Sequence, residues 1–110
     1  MEIDWKDFEK VDMRIGTIIK VDDFPKAKKP AYQLTIDFGS IGVKRSSAQI
    51  TNYSKDELNG MKVVAVVNFP PKQVADFISE VLVLGALTDE GVILLTPSKK
   101  ESAKPGDRIA

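Results

Sequence analysis

At 110 residues, with 43% hydrophobic and 29% charged side chains, the chain has the length and balance of one globular domain, residues 1–110. It contains neither cysteine nor histidine, which excludes disulfides, thiolate zinc sites, cysteine nucleophiles and every histidine-dependent triad. Sixteen basic residues balance sixteen acidic ones, so any nucleic-acid binding must come from a local patch rather than from overall charge.

Asp4 is placed to cap a short N-terminal helix, with Trp5 and Phe8, three residues apart, on one face of it. The acidic start lacks the basic region and long apolar run of a signal peptide, and the aliphatic run 63–67 is too short to span a bilayer. The expected compartment is therefore the cytoplasm, without membrane insertion. Met13 to Val21 reads as a strand, and Gly16 within it predicts a bulge or sharp bend. A lysine-rich loop bracketed by Pro25 and Pro30 follows.

Tyr32, Leu34, Ile36 and Phe38 alternate with Gln33, Thr35, Asp37 and Gly39, the period of a half-buried strand. A turn at 39–42 returns it as a strand from Val43 to Ile50, completing a hairpin. Ser54, with Glu57 three residues on and Gly60 at the end, predicts a short capped helix. Lys62 to Val67 reads as a buried strand, which Pro70 and Pro71 stop because neither can donate to a ladder. Val74 to Ile78 is expected to form a helical turn. Glu80 to Leu87 and Gly91 to Leu95 form a last hairpin before a polar tail. The expected fold is all-β: an OB-fold barrel of five to six strands with short helices, including the N-terminal one. Ile36, Val63, Ala65, Val67, Leu82 and Leu84 are its expected core.

Three segments are candidate binding surfaces. Residues 44–49 place Lys44, Ser46 and Ala48 on one side of a strand and Arg45, Ser47 and Gln49 on the other. Asn68, Phe69, Pro70, Pro71 and Lys72, with Ser79 and Glu80, lie where an OB-fold carries a ligand loop. Lys26, Lys28 and Lys29 form a basic loop, a pattern more often merely solvated. Catalysis is not expected: the acid pairs Asp22-Asp23 and Asp89-Glu90 sit at turns, Ser46 and Ser47 have no recognisable base, and no phosphate loop or metal-ligand spacing occurs. No cofactor is expected either.

Taken together, Asp12-Met-Arg14-Ile-Gly16-Thr-Ile, Leu34-Thr-Ile-Asp37-Phe-Gly39, Asp56-Glu57-Leu58-Asn-Gly60, residues 63–68 and Pro105-Gly106-Asp107 resemble the tRNA-binding domain at the C-terminus of methionyl-tRNA synthetases. Residues 46–51, 64–72 and 79–84 resemble its branch of CsaA export-related chaperones. Where tRNA-binding relatives carry a Ser-Glu-Gly-Met-like stretch, this chain has Ser79-Glu80-Val81-Leu82. The resemblance implies an OB-fold homodimer whose N-terminal helix and C-terminal tail help build the interface. It also implies binding of unfolded or export-destined polypeptides, together with preprotein-translocation components.

Two functions are thus expected. An ATP-independent chaperone would present Phe69, Pro70, Pro71 and Phe77 to apolar client segments, and hold client backbone with Ser46, Gln49 and Asn68. A binder of tRNA or structured RNA would set Lys44, Arg45 and Lys72 on phosphates, with Ser47, Ser79 and Glu80 beside them and Phe69 or another aromatic stacking on an unpaired base. Trp5 and Phe8 are the expected dimer contacts, since closed two-fold pairing would bury an apolar helix face that one small barrel leaves open.

Overall fold

The structure, a computed structural model, describes residues 1–110. Five antiparallel strands make a nearly closed barrel: β1 (Met13–Asp23), β2 (Tyr32–Asp37), β3 (Val43–Ala48), β4 (Lys62–Val66) and, fifth in the sheet, β7 (Leu82–Val83), in the order β3-β2-β1-β4-β7. Two small hairpins complete it, β5 (Lys72–Val74) with β6 (Phe77–Ser79) and β8 (Gly85–Thr88) with β9 (Gly91–Leu94). The helices are α1 (Trp5–Glu9) and α2 (Lys55–Leu58).

The core follows from the alternation in β2. Leu34, Ile36 and Phe38 are fully buried, and Ile18, Ile50, Leu58, Val63 and Ala65 pack with them. All of these but Ala65 contribute roughly 1.5–3 kcal/mol each on burial. Ser54 caps α2 as its sequence predicts: its hydroxyl accepts from the Glu57 N–H at 3.1 Å while Glu57 Oε1 accepts from the Ser54 N–H at 2.9 Å. That cap seats Leu58 in the core.

Strand β1 serves two neighbours, pairing with β4 over Met13 to Thr17 and with β2 from Thr17 onward. The irregularity that lets it turn lies between Ile18 and Lys20 and not at Gly16, as its sequence suggested. At the bend the Ile18 N–H donates to the Met61 carbonyl (2.9 Å) and its carbonyl accepts from the Gly60 N–H (2.7 Å).

Two further expectations are corrected. Residues 74–78 form no helical turn; they complete the β5–β6 hairpin, whose two-residue loop places Ala75 at a positive φ of 54°. The strand expected from Glu80 to Leu87 is divided into β7 and β8. Within it the inward phase falls on Val81 (6% exposed), leaving Leu82 half exposed, because neighbouring residues of an extended chain face opposite ways. Leu82 is therefore outside the core, and Val67 and Leu84 are only partly buried.

The tail closes the other end. Gly106 and Ile109 donate their N–H groups to the Ile15 and Met13 carbonyls, and the Ile15 N–H donates to the Asp107 carbonyl. No helix is long and apolar enough to cross a membrane.

Candidate binding groove

The barrel closes where β3 meets the segment leaving β6. The Glu80 N–H donates to the Arg45 carbonyl at 2.8 Å, and Glu80 Oε1 accepts from the Arg45 N–H at 3.0 Å. The Ser79 hydroxyl accepts from the Ser47 N–H at 3.1 Å. Side chains thus stand in for a strand neighbour, satisfying an edge that would otherwise be open.

Beside this seam lies a groove of about 960 Å³. Its walls are the 26–31 loop, the end of β3 and the residues after it, strand β5, and the run from Leu82 to Leu87. Leu82, Val83, Leu84, Leu87, Val74 and Val92 supply apolar surface, while Lys26, Lys28, Lys29 and Lys72 stand around it. No carboxylate lines it. Lys26 is bound to Asp76 at 3.0 Å, which holds the Asp76 carboxyl below its ordinary value of 3.8. Lys28, Lys29 and Lys72 have no such partner. A smaller hollow of about 380 Å³ adjoins it, sharing Ser47, Lys72, Val74 and Leu82 and adding Phe69 and Pro70. Apolar floor and free ammonium groups together suit an extended polymer with apolar or aromatic groups and acidic or phosphate charges.

The structure brings some expected residues to this place and removes others. Gln49, Ser47 and Lys72 line the large groove, and Phe69, Pro70, Ser79 and Glu80 line the hollow. Pro71 is exposed but lines neither. Ser46 is corrected from a surface donor to an interior one: it is 1% exposed and donates to the Val81 carbonyl at 3.1 Å. Phe77 likewise offers no client surface, being 3% exposed. It lies 5.5 Å from Phe24, centroid to centroid, with the Arg45 guanidinium 4.4 Å over its ring.

Asn68 is spent within the chain. Its Oδ1 accepts from the Asp12 N–H at 3.0 Å and its Nδ2 donates to the Lys10 carbonyl at 2.7 Å, pinning the residues after α1 to the end of β4. Ser79 and Glu80 face the hollow but already serve the β3 seam. Lys44 and Arg45, paired above as phosphate ligands, point to opposite sides of β3 and do not act as one grip. Trp5 is 83% exposed and Phe8 half-buried, both away from the groove. What the sequence reading missed is the apolar run at Leu82 and Leu87, the latter 88% exposed beside a polar turn. That placement was the available signal.

The sequence profile described as "Putative tRNA binding domain" matches residues 13–108. The chain belongs to the tRNA-binding-domain family. Within this family its barrel is similar to the CsaA chaperone protein of Picrophilus torridus, with TM-score 0.94 and 62% identity over 99% of this chain and 100% of that one. The chaperone CsaA of Bacillus anthracis gives 0.93 and 46% over the whole of both chains. The MetRS-related protein of Pyrococcus horikoshii gives 0.86 and 28%, again over the whole of both. Among curated relatives, the methionine–tRNA ligase of Leptospira interrogans is 36% identical over 110 residues, 99% of this chain. The chain spans only 15% of that ligase's length.

Proposed function

We propose that this protein is a CsaA-like, ATP-independent chaperone that holds unfolded or export-destined polypeptides in the lysine-rimmed groove. The observation that carries this reading is the apolar surface at Leu82 and Leu87, left open beside a cavity that no carboxylate lines. Exposed apolar surface of this sort marks a binding site, and the extended edge of β5 offers backbone groups to a client strand. The 62% identity with a protein named as a CsaA chaperone supports it. The homodimer belongs to the same proposal, with Trp5 as the exposed apolar contact, as do a cytoplasmic location and cooperation with preprotein-translocation components. The role is binding, without catalysis.

The test is a titration of a labelled, permanently unfolded client against the protein and its Leu87→Ser and Leu82→Ser variants. Weaker binding by both, with little dependence on salt, is the expected result. Equal affinity in wild type and variants would move the client site elsewhere.

A second reading, binding of tRNA or structured RNA, is favoured by the family match and by the three unpaired lysines of the groove. Fluorescence anisotropy of labelled tRNA across a salt series separates the two. Phosphate binding falls steeply with salt, with a log–log slope of about −0.7 to −0.9 per neutralised phosphate.

A further inference from the structure

The Arg45 guanidinium lies 4.4 Å over the centre of the Phe77 ring, and Phe77 in turn packs against Phe24 at a tilt of 54°. Both rings are buried, 4% and 3% exposed, whereas Arg45 is exposed. Arg45 therefore caps a tilted aromatic pair, its guanidinium over Phe77 and Phe77 leaning on Phe24. Arg45 is also held at its backbone, where Glu80 takes its N–H and donates to its carbonyl. One edge of the guanidinium donates to Gln33 Oε1 at 3.4 Å. No carboxylate lies within ion-pair distance of it.

We propose that Arg45, seated over the ring of Phe77, is a stacking platform for an unpaired base of a bound RNA strand. This deepens the RNA reading and rests on it. A guanidinium seated over a ring is held in place on its inner side and keeps its outer side for solvent, and arginine in such a position can stack on a second π-system. RNA-binding proteins hold splayed bases on aromatic rings and on arginine planes. The position also fits a strand's path. Ser47, two residues along the same face of β3 and about 7 Å away by strand rise, lines the groove that holds Lys28, Lys29 and Lys72. Phosphates would follow those lysines while one base turns onto Arg45.

The closing experiment compares wild type with Arg45→Lys, which keeps the charge and removes the plane. Binding of single-stranded RNA dodecamers, each with one 2-aminopurine, is read by anisotropy and by the change in 2-aminopurine fluorescence over a salt series. We expect the lysine variant to bind about ten-fold more weakly, within the range for one stacked base. Its salt slope should be unchanged and the 2-aminopurine fluorescence change on binding lost. Equal affinity and an equal fluorescence change in the two proteins would overturn the proposal, leaving Arg45 a plain charge. A wild type that binds no RNA at any salt would remove the RNA reading itself, a different result from the first. An abasic site walked along the RNA gives a measurement on wild type alone: one position should lose affinity about ten-fold. A flat profile overturns the stack.

Discussion

Gly16 lies directly beneath the ring of Phe38: a Cβ built on it would stand 2.6 Å from Phe38 Cε1, and also 2.6 Å from Ile36 Cγ2. Phe38 and Ile36 are both fully buried, so neither can swing aside. The glycine is there for close approach of two strands. Gly16→Ala should therefore destabilise the barrel by about 1–3 kcal/mol through overpacking. Urea unfolding checks this, with a lowered midpoint expected and an unchanged one counting against it.

The seam between β3 and Glu80 has its own signature. Replacing Glu80 by alanine strips the Arg45 N–H of its acceptor, and the expected loss is about 1 kcal/mol, the net worth of such a bond. Glu80→Gln retains an oxygen acceptor and should lose less. Hydrogen exchange at the Arg45 amide would read the difference: fast in the alanine variant, slower in the glutamine one. The same amide exchanging equally in all three proteins would mean that the side chain does not close this edge.

These two cases also mark what the sequence could reveal. Alternation in β2 and the Ser54–Glu57 cap depend on neighbours a few residues apart, so both were legible. Gly16 was readable as unusual, yet the cause lay in Phe38, twenty-two residues on, and only the fold brings the two together. Ser46, Asn68 and Phe77 were misread for a related reason. Polar or aromatic type signals a capacity, and the fold had already committed that capacity to Val81, Asp12, Lys10 and Phe24. The groove is built from five separated segments, so its basic loop was visible in the sequence and its apolar floor was not.

Trp5 and Phe8 differ more than their shared helix face suggests, for Trp5 is 83% exposed and Phe8 is half covered by its own chain. If the helix seals a homodimer, Trp5→Ser should weaken association more than Phe8→Ser does, and the double variant should give a monomer mass by light scattering. A dimer mass for the double variant would place the interface on another surface.

The last prediction concerns acid. Asp12 accepts from Arg14 Nε at 2.6 Å, and Arg14 also donates to the Gly106 carbonyl at 3.1 Å, so one ion pair links β1 to the tail. The bond to Arg14 holds the Asp12 carboxyl below its ordinary value of 3.8; desolvation opposes this, and the charges of Arg14 and Arg108 add to it. Asp76 is lowered in the same direction by Lys26. For a carboxyl lowered on folding, the unfolded chain takes up its proton first as pH falls. Stability from both pairs is thus complete above the ordinary carboxylate range and is lost as pH drops through the lowered values. Both pairs are partly exposed, so each contribution is small and screened by salt. Thermal melts between pH 6 and 2 (roughly the span in which carboxylates titrate) should show Tm falling less steeply with acid in Asp12→Asn and in Asp76→Asn than in wild type. Because Arg14 ties down Gly106, the Asp12 variant alone should also lose amide protection at Ile15 and Ile109, which pair with the tail. Parallel Tm profiles in wild type and both variants would show that other carboxyls govern the acid response.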